Sequence, residues 1–482
     1  IEDRTLLILR VDRKLSFDEI ALVFAESLES VTEVEHSETG GGDPDGSAGG
    51  AGGSAPRGID RAAMAARVRA EVQRAWAGYV KYAWGHDELR PVTHTAHDWH
   101  GAPLLITPVD ALDTLVMLGL TAEADAARQL IDDRLSFDLD VTVKNFEITI
   151  RVLGGLLSGY QLTGDRKLLW LADDLGARLL PVFDSPTGMP YMYVNLKTGQ
   201  VSGARTNPAE IGTLLLEFGA LSKLTRKAVY YEKAKHAVVQ LYERRSPLGL
   251  VGREIDVESG RWINPASHVG GGIDSYYEYL LKGSLLFSDG QLAEMWRTSI
   301  AAVNQYLADE AGGLWYGQAD MNSGRRIATR FGALHAFLPA VLALGGDLDR
   351  ARRLEASCFR MWQLRGLEPE LIDYRTMAIV APEYELRPEI IESAWYLRRA
   401  TGDPAYLAMG QAFLDGLVAH ARTDAGFTVM TSVASMAQGD LMPSYFLAET
   451  LKYLYLIFAP DDAVDLDRAV FTTEAHPLRP TW

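Results

Sequence analysis

Cysteine and long apolar runs are both scarce in this 482-residue chain, and each absence excludes a class of structure. The single cysteine, Cys358, excludes an intramolecular disulfide and a Cys-x-x-Cys metal site. The richest apolar stretch, 331–344, is interrupted by His335 and Pro339, so no run reaches the ~18 residues of a transmembrane helix. We therefore expect no membrane span.

Basic residues are also in the minority. The chain has 47 Lys and Arg against 64 Asp and Glu, a formal net charge of −17. This negative charge disfavours binding to nucleic acid through general electrostatics. What the chain does have is apolar content: 48% of its residues are hydrophobic and 23% are charged, as in a soluble globular protein with a large core.

A glycine-rich stretch at 39–58 separates a short N-terminal segment from the rest of the chain. Nine glycines lie between positions 40 and 58, which predicts a flexible linker. Segment 1–38 has helical apolar spacing and a capping-box pattern at Ser16 and Glu19. It resembles the start of the helix-turn-helix of bacterial sigma-factor region 4, but acidic residues follow where a recognition helix would be basic. We therefore predict a helical appendage, then one domain over 59–482.

Residues 59–482 contain one helical pattern after another, with apolar residues three and four positions apart. The joint TGD occurs twice, at 163–165 and 401–403. Glycine suits the left-handed residue that ends a helix, and aspartate suits the N-cap of the next one. Helix pairs with short joints predict an all-α toroid. Strand-like stretches at 189–201 and 314–324 predict short β-hairpins at one end.

Several of these apolar helices carry a carboxylate, which is costly to bury unless it is protonated or paired. The acids are Asp110 and Asp113, Glu147, Asp274 and Glu278, Glu389 and Glu392, and Glu449. One such acid is usually structural, and Glu147 with Arg151 four residues later fits a simple ion pair. A toroid would gather them at one mouth, which suits sugar hydrolysis because that reaction needs an acid and a base.

The order of motifs from about 63 to 480 resembles glycoside hydrolase family 47, the class I α-1,2-mannosidases. The blocks are AWGHDELRP (83–91), DALDTLVMLGL (110–120), FEITIRVLGGLLSGYQLTGD (146–165), EIGTLLLEFGALSKLT (210–225), DSYYEYLLK (274–282), HAFLP (335–339), LRPEIIES (386–393), LAETLKYLYLIF (447–458) and VFTTEAHPL (470–478). The resemblance implies an (α/α)7 barrel and a Ca²⁺-dependent, inverting exo-α-mannosidase acting on α-1,2-linked mannose in oligosaccharides.

The same resemblance implies the catalytic residues. Glu147 matches the family's proposed general acid, and Asp274 matches an aspartate that has also been proposed as the acid, so the two remain alternatives. Glu389 matches the proposed general base. Hydrolysis would proceed by direct displacement with water, and inversion predicts carboxyl groups roughly 6.5–9.5 Å apart.

Further matches imply the residues that bind sugar and metal. The substrate-binding matches are Arg151, His335, Glu392, Tyr445, Glu449 and Glu474. Tyr445 stands where the family usually has the phenylalanine under the sugar ring, and His335 has the alternative of being an ordinary core histidine. Thr473 matches the Ca²⁺ ligand, through its hydroxyl and its own carbonyl oxygen. Ca²⁺ takes six to eight oxygens, so the nearby carboxylates would hold water ligands.

Three departures from the family pattern complete the expectation. Ala336 stands where eukaryotic members have a cysteine and leaves Cys358 unpartnered, which suggests a bacterial-type member. Gly272 replaces an arginine that shapes branch preference. The N-terminal membrane anchor of eukaryotic members is missing. We expect a monomer that a bacterium exports to the periplasm or secretes, and whose native start and signal peptide are absent from this chain. The alternative function is a catalytically weak, lectin-like member that binds mannose glycans.

Overall fold

The computed structural model describes residues 58–466 and 468–482. The predicted N-terminal segment 1–38 and the predicted linker, except Gly58, lie outside the described residues. Helices dominate the described part, and the α-helices are α1 Arg61–Ala83, α2 Ile106–Asp110, α3 Leu112–Met117, α4 Thr121–Arg134, α5 Asn145–Glu147, α6 Gly154–Thr163, α7 Arg166–Leu179, α8 Pro208–Gly212, α9 Leu215–Thr225, α10 Val229–Glu243, α11 Asp274–Phe287, α12 Gly290–Tyr306, α13 Leu338–Leu344, α14 Leu348–Gln363, α15 Glu389–Thr401, α16 Ala405–Gly416 and α17 Leu451–Phe458. Three π-helical stretches lie at Ile148–Leu153, Leu417–Ala421 and Phe446–Thr450, and two 3₁₀ turns lie at Leu180–Phe183 and Ala333–Phe337.

Both predicted helix joints are confirmed. Gly164 ends α6 with φ +75°, and Gly402 ends α15 with φ +69°, the left-handed conformation that glycine adopts without steric cost. The Asp165 side chain accepts the backbone N–H of Lys167 and caps α7. After the second joint, a side-chain oxygen of Asp403 accepts the N–H of the first residue of α16 at 2.8 Å.

The helices form two layers. α6, α9, α11, α13, α15 and α17 are buried over most of their surface, whereas α1, α4, α7, α10, α12, α14 and α16 each bury one face. A helix that is apolar all round lies inside, and an amphipathic helix lies outside with its polar face in water. Neighbours in the chain pack as pairs: α3 with α4, α6 with α7, α9 with α10, α11 with α12, α13 with α14, and α15 with α16. α17 packs against α1.

The strands are short and antiparallel, and they are more numerous than the sequence predicted. They are β1 Glu88–Arg90, β2 Thr95–His97, β3 Thr142–Lys144, β4 Tyr193–Asn195, β5 Val201–Ser202, β6 Arg205–Thr206, β7 Glu254–Asp256, β8 Trp262–Asn264, β9 Ala266–Ser267, β10 Ala308–Glu310, β11 Leu314–Tyr316, β12 Gln318–Asp320, β13 Arg326–Ala328, β14 Arg330–Gly332, β15 Leu371–Asp373, β16 Ala378–Ala381, β17 Met430–Ser432, β18 Ala437–Gln438, β19 Val470–Phe471 and β20 Pro477–Leu478. The hairpin predicted at 189–201 is confirmed as β4 and β5. The stretch 314–324 is not one hairpin, because β11 pairs with β10 while β12 pairs with β13 and β9.

The sheets follow one another along the chain. The pairs β5–β6, β8–β9 and β13–β14 are each separated by only one or two residues and belong to adjacent sheets. Two other strands contribute a charged residue to a cavity: Lys144 at the end of β3 and Glu254 at the start of β7. Within 58–466 and 468–482, none of the helices combines the length and the apolar character that crossing a membrane requires.

Candidate active site

A cavity of about 460 Å³ brings the sequence-predicted site residues together. Nine of the ten line it: Glu147, Arg151, Asp274, Glu389, Glu392, Tyr445, Glu449, Thr473 and Glu474. They come from helices α5, α11 and α15, from the two π-helical stretches beside α6 and α17, and from the loop between β19 and β20. Residues more than 300 positions apart in the chain therefore share one wall of the cavity.

Arg151 contacts several of the residues that form this wall of the cavity. It lies in the π-helical stretch Ile148–Leu153, a geometry often found at functional sites. Its Nη2 is 3.0 Å from Oε2 of Glu147, and its Nη1 donates to Glu474 and lies 3.8 Å from Oδ2 of Asp110. Its guanidinium also stands 5.2 Å from the ring centre of Tyr445, a cation–π distance. The Glu147–Arg151 pair predicted from spacing is confirmed, and it is part of a larger network.

The two candidates for the general acid have different surroundings. Glu147 is paired with Arg151, and Nζ of Lys144 lies 3.8 Å from its other oxygen. Asp274 begins α11, and its Oδ1 accepts the backbone N–H of Ser275 at 2.8 Å. Burial raises the pKa of Asp274 to about 6, against a smaller lowering by Ser275.

Glu389 begins α15 directly after Pro388 and has little to stabilise its charge. Its Oε2 is buried and has no hydrogen-bond partner in the described part of the chain. Burial raises the pKa of Glu389 to about 8, and the neighbouring Arg387 counteracts only part of this rise. A group that approached Oε2 with positive charge or a proton would therefore be stabilised here.

One turn further along α15, Glu392 is held in place by hydrogen bonds from buried side chains. Its Oε1 accepts a hydrogen bond from Oη of Tyr453 at 3.1 Å and one from Nζ of Lys282 at 3.4 Å. The same ammonium donates to Glu278, also on α11. Burial raises the pKa of Glu392 to about 7, although Lys282 opposes the rise. These contacts fix the direction in which Glu392 faces the cavity.

Glu449 and Glu474 form a buried carboxyl pair. Burial, and then the charge of Glu474, raises the pKa of Glu449 well above its ordinary value. The pKa of Glu474 rises to about 7, mainly through burial and against the effect of Arg151. Two buried carboxyls this close favour the state in which one of them is protonated.

Thr473, which the sequence analysis matched to a metal ligand, lines the cavity beside these carboxyls. Within the described ranges, no three or more His, Cys, Asp or Glu side chains are arranged to hold a metal ion directly. A cage of protein carboxylates is therefore excluded there. A Ca²⁺ that binds through threonine and water fits the residues present. Thr473 offers two oxygens, and Oε2 of Glu389 is unpartnered. The raised pKa of Glu389 also shows that a positive charge would be stabilised beside it.

His335 is the exception among the ten residues. It does not line the cavity, although its neighbour Leu334 does. Its ring packs directly on Gly270 and lies 4.9 Å from the ring centre of Phe331. Its Nδ1 accepts the N–H of Gly332, and burial lowers its pKa to about 3, so the ring is neutral. The structure thus places the ring in the core, with Nε2 buried and without a hydrogen-bond partner in the described residues, and the sugar contact stays a prediction.

Sequence reasoning missed five charged residues of the cavity, namely Lys144, Glu210, Arg253, Glu254 and Arg387. Lys144 lies 3.0 Å from Glu210 and links it to Glu147. Arg387 donates from Nε to Glu370 at 3.0 Å and stands 5.9 Å from the ring centre of Tyr445. The motifs AEIG and RPE contain Glu210 and Arg387, so both could have been found. Nothing in the sequence around Lys144 distinguishes it from an exposed lysine.

Comparison with known proteins identifies the family and several relatives of this chain. The family model described as "Glycosyl hydrolase family 47" matches residues 71–480. The chain is 36% identical over 452 residues to Alpha-mannosidase I MNS5 of Arabidopsis thaliana, covering 87% of this chain and 78% of that protein. It is also 36% identical over 463 residues to the mouse ER degradation-enhancing alpha-mannosidase-like protein 2, covering 89% and 79%.

A solved structure shows the same fold. The structure of an alpha-1,2-mannosidase from Trichoderma reesei superimposes with a TM-score of 0.81 at 27% identity and covers 87% of this chain and 99% of that chain. Both similar proteins and this structure come from eukaryotes, so they do not support the bacterial type that was predicted from the missing cysteine pair. Cys358 is nevertheless a free, buried cysteine, as expected.

Proposed function

The chain belongs to glycosyl hydrolase family 47, and we propose that it is a Ca²⁺-dependent, inverting exo-α-mannosidase that removes α-1,2-linked mannose from oligosaccharides. The observation that supports this most is the single cavity that gathers Glu147, Asp274, Glu389 and Thr473. The proposal includes a catalytic domain over 59–482 in which the packed helix pairs, with α17 against α1, close into an (α/α)7 barrel.

In this proposal Glu389 is the general base. It takes a proton from water while that water attacks the anomeric carbon, and the bond to the leaving oxygen breaks. Its unpartnered Oε2 is available to accept that proton. A base must be ionised before it acts, yet burial raises the pKa of Glu389 to about 8. The proposed base therefore needs a nearby positive charge to work at neutral pH.

Ca²⁺ would supply that charge. Thr473 would hold it through its hydroxyl and carbonyl oxygens, and Glu389, Glu392, Glu449 and Glu474 would hold its water ligands. When bound, the ion supplies a positive field that binds sugar hydroxyls and favours the ionised carboxylates around it. Arg151 and the ring of Tyr445, which lie against each other, would orient the mannose.

The proton for the leaving oxygen comes from Asp274 or Glu147, and their surroundings favour Asp274. A general acid must be protonated before it acts, and the buried Asp274 carboxyl has a pKa of about 6. Glu147 is instead ion-paired with Arg151. D274N and E147Q separate the two with an aryl mannoside whose leaving group needs no proton. The variant that lacks the acid loses hydrolysis of α-1,2-mannobiose but keeps that of the activated substrate.

A second function is favoured by the similarity to the ER degradation-enhancing alpha-mannosidase-like protein. In that case the chain would bind mannose glycans and hydrolyse them poorly. Proton NMR of the purified protein with α-1,2-mannobiose, with and without EDTA, distinguishes the two. Initial release of β-mannose that EDTA abolishes supports the enzyme, and initial α-mannose contradicts inversion. Saturable binding without hydrolysis supports the glycan-binding function.

A further inference from the structure

The loop that carries Thr473 has one fixed shape. It connects β19 to β20, and the hydroxyl of Thr472 accepts the N–H groups of Glu474 and His476 at 3.3 and 3.1 Å. Ala475 has φ +56°, a left-handed conformation that alanine rarely adopts. Nζ of Lys452 donates to its carbonyl oxygen at 2.7 Å and holds it there. The loop is therefore anchored on both sides of Thr473.

A third anchor acts on Thr473 itself. Its backbone N–H donates to Oη of Tyr279 at 3.2 Å, and that hydroxyl donates to Oε1 of Glu217 at 2.6 Å. A tyrosine hydroxyl has one hydrogen, so the direction of both bonds is determined. Tyr279 and Glu217 come from the inner helices α11 and α9, and both are buried. The chain of bonds thus runs from two helices to a single peptide group of the loop.

Neither Tyr279 nor Glu217 lines the cavity. The hydrogen-bonded link from these two residues to the cavity runs through Thr473. Fixing the N–H of Thr473 fixes the backbone of that residue and hence the start of its side chain. The two oxygens that would hold Ca²⁺, the hydroxyl and the carbonyl, belong to this residue. Outer partners that orient metal ligands in this way contribute substantially to metal affinity.

We propose that Tyr279 and Glu217 are positioning residues that orient Thr473 for Ca²⁺, an inference that rests on the proposed function. The hydroxyl of Tyr279 is needed in its exact role of acceptor from Thr473 and donor to Glu217. Removing it leaves the N–H of Thr473 and the carboxyl of Glu217 without this partner. Ca²⁺ affinity should then fall about 10–100-fold, the usual loss when an outer-shell partner is removed.

The same helix offers a matched control. Tyr276 is equally buried on α11, but its hydroxyl has no hydrogen-bond partner in the part of the chain that the structure describes. Y279F and Y276F remove the same oxygen atom from equally buried positions. Y276F controls for the loss of a buried hydroxyl oxygen, and the stability of metal-free Y279F controls for the loss of the two hydrogen bonds.

The experiment is calorimetric titration of the EDTA-treated full-length protein with CaCl₂, with thermal unfolding of each metal-free variant measured beside it. We expect the Ca²⁺ Kd of Y279F to rise about 10–100-fold and that of Y276F to stay within about twofold of the wild type. A folded Y279F with wild-type Kd overturns the proposal. If Y279F does not fold, E217L takes its place, because leucine cannot accept the hydrogen bond of Tyr279: weaker Ca²⁺ binding supports the proposal, and wild-type Kd overturns it.

The outcome for the wild type separates this inference from the function on which it rests. If the wild type does not bind Ca²⁺, the metal part of the proposed function is wrong, and the inference is wrong with it. If the wild type binds Ca²⁺ and hydrolyses the mannobiose while Y279F binds Ca²⁺ equally well, only the positioning role is wrong.

Discussion

Glu355 on α14 should make the protein less stable as the pH rises, and replacing it with methionine should remove this effect. The side chain is fully buried, and neither carboxyl oxygen has a hydrogen-bond partner within the described residues. Burial alone raises the pKa of Glu355 well above its ordinary value. Below the unfolded pKa of ~4.3 the group is neutral in both states, so it adds no pH dependence to the free energy of unfolding. Above it, the unfolded state releases a proton that the folded state retains, so stability falls.

The slope of this loss is about 1.4 kcal/mol per pH unit for one such group, until the folded pKa is reached. From pH 5 to pH 7 the wild type should therefore lose at most about 3 kcal/mol through Glu355, the limit for one proton over two pH units. Methionine has a similar volume and no group to ionise, so E355M should gain that amount over the wild type in the same interval.

Urea-induced unfolding at pH 5, 6 and 7, followed by tryptophan fluorescence, measures the difference. Asp349 on the same helix is 80% exposed, and D349N is the control whose effect should not change with pH in this interval. A constant difference between E355M and the wild type at all three pH values would refute the reasoning. It would mean that Glu355 is ionised in the folded protein and has a partner that the bond geometry does not reveal.

Three other predictions concern the cavity. E389Q should lower kcat on α-1,2-mannobiose about 10²–10⁴-fold, the usual contribution of a general base, without lowering the thermal unfolding temperature, because a buried and unpartnered carboxyl is removed. If Asp274 is the acid, kcat/KM on α-1,2-mannobiose should fall as the pH rises through about 6, since its proton is then lost, and this descending limb should be absent from the pH–rate profile on the activated aryl mannoside. Y445F should keep kcat/KM within about threefold while Y445A should lose about 3–30-fold, because the ring stands 5.2 Å from the Arg151 guanidinium and the cation–π contact needs only the ring. Equal losses in the two Tyr445 variants would transfer the role to its hydroxyl, which donates to the carbonyl oxygen of Glu385.

The helices and their joints could be predicted from the sequence because the forces involved are local. The Gly164 helix end and the Asp165 cap depend on neighbours within a few residues. The pairing of strands was not predictable in the same way. Only Gly317 separates β11 from β12, yet the two strands join different sheets, because partners more than 50 residues away decide the pairing of β12 with β9.

The site was predictable to the extent that its residues are anomalous in their own segments. A carboxylate in an apolar helix stands out, and Asp274, Glu389 and Glu449 all line the cavity. A lysine at the end of a strand does not stand out, so Lys144 was missed. His335 was assigned by its motif, but a motif does not specify which side of a wall the ring occupies. Here the absence of a side chain at Gly270 leaves room for the ring away from the cavity.

The balance of positive and negative charge in the cavity could not be predicted from any sequence pattern. Nine carboxyl groups and four cationic side chains line the cavity, so full ionisation would leave an excess of five negative charges. The protein relieves this by keeping protons on some of its acids, as the raised pKa values of Glu389, Glu392 and Glu474 indicate. A bound divalent cation relieves it differently, because it replaces those protons and returns the acids to the ionised form. Without the ion these carboxyls would be protonated. With the ion they would be ionised, and they would then act as the general base and as groups that hold the water ligands. Proton release on Ca²⁺ binding, measured as a dependence of the binding enthalpy on the buffer, is the signature that this account requires.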